Sequence, residues 1–221
     1  MSGPASGVFF DLDGTLLDSN YLHVLAWRRA LLEAGQDLPS AVIHHHIGMG
    51  GAEMLGTLIG VDDEAIRSAH GRYFEDLKDL VTPLPGAREL VRAVKERGAL
   101  VVIVTSASPA AVPRLLDALG VPETVDLVVS GDDAANAKPD PDLFTLALAR
   151  SGLAARSVLA LGDTVWDVEA AGQAGIGCLC VTSGGTPQTD LRSAGALGVY
   201  ESCAGLLAQW RSSPLAELLA A

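Results

Sequence analysis

Val8-Phe9-Phe10-Asp11-Leu12-Asp13-Gly14-Thr15-Leu16-Leu17-Asp18-Ser19 decides how the chain is read. Val8 to Phe10 is a short apolar run rich in aromatics, the mark of a buried parallel strand. The run stops at Asp11 and Asp13, and Gly14 then permits a sharp turn. In α/β sheets the carboxyl ends of parallel strands carry the chemistry. A carboxylate at such an end can be a nucleophile or a ligand for a hard cation, and a second one beside it can pass a proton to a leaving group. The same residues would also make a solvated acidic turn. Other strand ends must therefore carry further polar and charged side chains if the catalytic reading is to hold.

Composition narrows the field. The 221 residues suffice for one sizeable core, or a core with an inserted subdomain. A hydrophobic share of 49% excludes a disordered chain. The formal net charge of −12 argues against nucleic acid or an anionic membrane as partner. It also means that an anionic substrate needs a local positive centre or a metal. No apolar run is long enough to span a bilayer. Met1 to Ser6 lacks the charged region and apolar core of a signal peptide and reads as a loose tail. Cys178, Cys180 and Cys203 read as buried, inert thiols in a reducing, cytoplasmic compartment.

After Thr15 the apolar spacing turns helical. Leu22, Leu25, Ala26 and Leu32 share a helix that Gly35 closes. Further helices are expected from Pro39-Ser40 to His44-His45-His46, from Ala52 to Ile59, and from Asp62-Asp63-Glu64 to about Leu80. Thr82-Pro83-Leu84-Pro85-Gly86 is a boundary. Beyond it strands (100–105, 125–130, 158–161, 177–182) alternate with helices (87–97, 108–120, 142–151, 165–174), and helices alone follow the loop Ser183 to Pro187. This pattern predicts an α/β fold, a doubly wound parallel sheet, with a block of helices inserted after the first strand.

The stretch from Asp11 to Thr15 resembles the first motif of the haloacid dehalogenase superfamily, the aspartyl-phosphate-forming phosphatases. Three later segments resemble its other motifs. Strand 100–105 ends in Ser106-Ala107-Ser108. A hydroxyl and backbone N–H groups at a helix start make an anion site, although Ser108-Pro109 also suits an ordinary helix cap. Lys138-Pro139-Asp140-Pro141-Asp142-Leu143-Phe144 places a lysine on a stiff turn before a helix. Gly162-Asp163-Thr164-Val165-Trp166-Asp167 follows a strand and puts Asp163 and Asp167 on one face. Asp167 also suits a plain helix N-terminal carboxylate, favoured by the dipole, and Trp166 reads as packing at the rim.

The resemblance implies a Rossmann-like core, residues 1–19 and 83–221, with a helical cap, residues 20–82. It implies Asp11 as nucleophile and Asp13 as acid and base. Mg²⁺ would be held by Asp11, the Asp13 carbonyl and Asp163, with Asp167 binding through water or orienting Lys138. Ser106, the Ala107 N–H, Lys138 and the Gly14–Thr15 backbone would hold phosphate. The substrate would be a small phosphorylated metabolite, of phosphoglycolate or sugar-phosphate type, and the protein a monomer or weak dimer. Asp13 disfavours a dehalogenase.

A β-phosphoglucomutase is the main alternative, since Tyr21 to Trp27 resembles its segment with a histidine near the acid/base. His23 would take that place, but no lysine appears near Tyr73-Phe74-Glu75 apart from Lys78. A non-catalytic binding module would be expected to have lost Asp11 or Lys138. In the cap, His46, Met49 and Glu53 are candidates to touch the leaving group. Consecutive helical positions point apart, so His44-His45-His46 reads as a polar helix end rather than a metal site.

Overall fold

The computed structural model describes residues 5–220. Met1 to Pro4, most of the tail, lie outside the described residues. The core is a six-stranded, all-parallel sheet of strands β1 (Gly7–Phe10), β4 (Leu100–Val104), β5 (Leu127–Val129), β6 (Val158–Gly162), β7 (Gly177–Val181) and β8 (Gly198–Tyr200), in the order β5-β4-β1-β6-β7-β8. The first strand is therefore central, with β4 on one side and β6 on the other. Its carboxyl end is the point where the winding reverses, so the ends of β4, β1 and β6 lie side by side.

Period-two alternation divides the strands between two apolar layers. Val8, Phe10, Val101 and Ile103 pack under α5 (Ala87–Glu96), α6 (Val112–Leu119), α10 (Cys203–Ala208) and α11 (Pro214–Leu218). Phe9, Val102, Val104 and Ala160 pack on the other face under α7 (Asp142–Ser151), α8 (Val165–Gln173) and α9 (Gln188–Ala194). All three cysteines are buried and free, and burial pushes the Cys203 thiol up to about 12.

Between Leu17–Asp18 (β2) and Thr82–Pro83 (β3), which pair as a short antiparallel ribbon, stand four helices. These are α1 (Asn20–Glu33), α2 (Ser40–His44), α3 (Gly51–Ile59) and α4 (Glu64–Glu75). They bury an apolar cluster of their own, built on Trp27, Leu31, Ile43, Met54, Leu55 and Ile66.

Some elements differ from expectation. The helix opened by Asp63, whose carboxylate caps the Ala65 and Ile66 N–H groups, stops at Glu75 instead of Leu80. A separate 3-10 turn covers Lys78–Leu80. The helix after β4 starts at Val112, with Pro113 in its first turn, so Ser108 is not its cap. The strand β8 was not foreseen: three residues are too few to show a period.

Candidate active site

Lys138 is the centre of the site. It lies on the loop between β5 and α7, its side chain wholly buried. Its ammonium donates to Asp11 Oδ1 at 2.6 Å, Asp167 Oδ1 at 2.7 Å and the Val104 carbonyl at 3.0 Å, which uses all three donors. Burial alone would favour the neutral amine. Asp11 and Asp167 outweigh that and hold its pKa above the ordinary lysine value. Burial acts the other way on the acids. It raises Asp11 to about 7, with Lys138 opposing and Asp167 and Asp13 adding to the rise. Burial, then Asp11 and Asp167, lift Asp163 well above the carboxylate range.

The carboxylates converge because their backbones can. One oxygen from each of Asp11, Asp163 and Asp167 lies within 4.8 Å of the others. Three buried carboxylates around one lysine leave excess negative charge, and oxygen-only donors suit a hard divalent cation. Asp163 is held on both oxygens, by Thr15 Oγ1 at 2.9 Å and Asn20 Nδ2 at 2.8 Å. Asn20 Oδ1 is buried without a partner among the described residues. Gly14 has φ +79°, and a Cβ there would fall 2.4 Å from Asp163 Oδ2. A Cβ on Gly184 would fall 1.6 Å from the same oxygen. Asp167 serves both of its expected places. One oxygen takes Lys138, and the other takes the Thr164 N–H and hydroxyl, in a reciprocal box at the start of α8.

Asp13 faces the helical block. Its Oδ1 accepts from Ser19 Oγ at 2.5 Å and lies 3.3 Å from His23 Nε2. Burial pushes Asp13 up, but the His23 charge and the hydrogen bonds from His23 and Ser19 prevail, and its pKa is lowered. His23 stacks on Phe74 with centroids 3.9 Å apart, and its Nδ1 lies 3.1 Å from His70 Nε2. Of the two facing ring nitrogens one donates and the other accepts, as the tautomers decide. Burial, then His23, lower the His70 pKa well below the usual value.

Several of the groups expected to meet substrate have partners within the protein. The Gly14 N–H goes to the Leu17 carbonyl at 2.8 Å and the Thr15 N–H to Leu12 at 3.3 Å, so this backbone is not free for phosphate. The neighbouring Leu12 and Asp13 N–H groups have no acceptor among the described residues. The Ala107 N–H already donates to Thr105 Oγ1 at 3.1 Å, and Ser106 Oγ donates to the Gly48 carbonyl at 3.1 Å. His46 turns away from the cavity to the Val42 carbonyl and the Trp166 ring, and Glu53 accepts the Ala137 N–H at 3.0 Å beside Lys138. Neither lines the cavity; Met49 does. His44 reaches the Gly184 carbonyl at 2.9 Å from Nε2, so it is more than a polar helix end. Ser19, Asn20, Thr164 and His70 escaped the sequence reading. Ser19 and Asn20 directly follow the first motif, and their short polar side chains were the available signal.

Comparison with known proteins agrees with this geometry. Residues 5–175 match the model of the haloacid dehalogenase-like hydrolases. A phosphoglycolate phosphatase of Nitrosospira multiformis is 33% identical over 192 residues, covering 82% of this chain and 85% of its own. A phosphorylated carbohydrates phosphatase of Thermotoga maritima is 29% identical, covering 76% and 81%. The crystal structure of a hydrolase from Pseudomonas syringae superposes with a TM-score of 0.89 at 35% identity, over 94% of this chain and 98% of that one. By its sequence match, its sheet order and its lysine-centred carboxylate cluster, the chain belongs to the haloacid dehalogenase-like hydrolase family.

Proposed function

We infer that the protein is a Mg²⁺-dependent phosphatase that hydrolyses a small phosphomonoester through a phosphate ester of Asp11. The observation that carries this reading is the Asp11 carboxylate at the end of β1, 2.6 Å from the buried Lys138 ammonium and beside Asp163 and Asp167.

Phosphoryl transfer asks chiefly for alignment and charge neutralisation. Asp11 attacks phosphorus in line with the leaving oxygen. A bond forms from its carboxylate oxygen to phosphorus, and the bond to the alcohol oxygen breaks. Lys138 balances charge on Asp11 and on the equatorial phosphate oxygens. The Leu12 and Asp13 N–H groups, without an acceptor among the described residues, supply donors to the same oxygens. Asp13 gives its proton to the leaving alkoxide, then takes one from the water that attacks the acyl phosphate and releases phosphate. His23 and Ser19 favour ionised Asp13, which suits the second half-reaction. A phosphate dianion alongside raises its proton affinity for the first. Asp11, Asp163 and the Asp13 carbonyl would hold Mg²⁺, with Asp167 behind Lys138. The ion would supply charge neutralisation at phosphate.

Residues 20–82 act as a lid over this site and set the leaving group. The Ser106–Gly48, Glu53–Ala137 and His44–Gly184 contacts are its closed-state ties. A mutase must rebind a bisphosphate. Lys78, the cation nearest the expected position, is instead paired with Glu75, which favours the phosphatase.

Phosphate release from a panel of phosphomonoesters tests the reading. Release should need Mg²⁺, stop with chelator, and be absent in folded Asp11→Asn. Isomerisation of a sugar phosphate without net release would make it a mutase instead.

A further inference from the structure

Between the reacting aspartates and the helical block lies a cavity of about 450 Å³. That is within the range of sites that hold drug-sized ligands, the place of the phosphate beside Asp11 included. A two-carbon ester would leave most of it wet. The large apolar side chains in its lining include Trp27, Ile47, Met49, Met54, Phe74 and Leu115. Four of these, Trp27, Ile47, Met54 and Leu115, are 6% exposed or less.

A small anionic leaving group such as glycolate needs a cation to receive its carboxylate. The cavity offers little for that. Of the basic side chains among its described lining residues, Arg67 is ion-paired with Asp62, at 2.9 Å, and with Glu64, and its Nε–H has no hydrogen-bond acceptor among the described residues. Lys78 and Arg114 share Glu75. Their side chains are 39% and 49% exposed, where water weakens any pull on a ligand. His23 is engaged by Asp13 and His70.

We propose that the leaving group is a bulky, uncharged alcohol with an apolar face, held between the Trp27–Phe74 wall of the helical block and the Leu115 side of the core. This rests on the phosphatase reading and narrows it. Glycolate is then a poor fit, being too small to displace the water and bearing a charge for which every lining Arg and Lys is already ion-paired with an acid. A polyol is a poorer fit than a carbocycle, since its hydroxyls would lose water against methionine and aromatic surface.

Gly71 gives a way to alter the cavity alone. It lies in α4 on the cavity wall, and nothing stands within 4 Å of where a Cβ would be. A larger side chain there enters open space, on a helix that gains by losing glycine.

The test compares kcat/KM of the Mg²⁺-loaded enzyme for ethyl phosphate, phosphoglycolate, glucose 6-phosphate and cyclohexylmethyl phosphate. All four are alkyl esters, so leaving-group reactivity varies less than size, charge and polarity. The cyclohexylmethyl ester should lead ethyl phosphate by about tenfold or more. Gly71→Phe should cut that lead by about tenfold. Phosphoglycolate or glucose 6-phosphate ahead of the cyclohexylmethyl ester would overturn the proposal and leave the phosphatase standing. So would equal rates on the ethyl and cyclohexylmethyl esters, or a lead untouched by Gly71→Phe. No hydrolysis of any phosphomonoester by folded protein would overturn the phosphatase reading, and this proposal with it.

Discussion

Replacing Lys138 with methionine isolates the cation that holds the carboxylates together. The side chains are similar in length and both are apolar along the stem, so the main loss is the ammonium. That ammonium contacts Asp11 at 2.6 Å and Asp167 at 2.7 Å in a site closed to solvent. Breaking one partner out of a buried pair costs about 3–5 kcal/mol, because a desolvated charge is left uncompensated. In a chain of 221 residues each kcal/mol moves the melting temperature by about 2–4 °C, so the chelated variant should melt roughly 6–20 °C below wild type. Adding Asp11→Asn removes one of the stranded carboxylates and should recover about 1–3 kcal/mol, a coupling that a double-mutant cycle reads directly. Turnover of Lys138→Met with Mg²⁺ present should fall by about 10²–10³ or more, the scale for losing one preorganised charge donor. The assay is thermal unfolding in chelator at fixed pH for wild type, both single variants and the double, with kcat measured alongside. A Lys138→Met melting temperature within about 2 °C of wild type would refute the claim that this ammonium compensates the buried acids.

Two further outcomes follow from the same geometry. Asn20→Ala leaves Asp163 Oδ2 without its amide donor, and should weaken Mg²⁺ binding about 10–100-fold by titration calorimetry, with the fold retained. Relative to chelated Asp11→Asn, the chelated wild type should also lose stability as pH rises from 3.8 towards about 7. The folded pKa of Asp11 lies above its unfolded value, so the folded state binds that proton more tightly, and the advantage goes as the proton leaves. Unfolding across that range checks it, and Mg²⁺ should remove the loss at the upper end.

The strand ends were legible because chemistry and punctuation coincide there. An apolar run of four or five residues stops at Asp11, at Thr105 just before Ser106, or at Asp163, and a turn follows. Lys138 was legible only through resemblance, since it stands nine residues beyond the end of β5 and nothing local marks it as buried. Contacts fixed by the packing of distant segments were not legible. His46 and His44 look alike in sequence, but the turn of α2 gives His44 to the Gly184 carbonyl and sends His46 outward. Glu53 was expected at the leaving group because its loop is near the site, yet the register of α3 aims it at the Ala137 N–H. The Gly14–Thr15 backbone was expected to bind phosphate, but the turn consumes those N–H groups internally. The Asn20–Asp163 bond joins residues 143 apart, which no local pattern reveals.

The most direct test of the central claim is to trap the covalent intermediate. The Mg²⁺-loaded enzyme is mixed with a hydrolysed phosphomonoester, quenched in acid within one turnover and reduced with borohydride, which converts an acyl phosphate to an alcohol. Peptide mass spectrometry should then find homoserine in place of Asp11, absent without substrate. Reduction at another carboxylate, or an unmodified Asp11 under conditions where turnover continues, would contradict the assignment of the nucleophile.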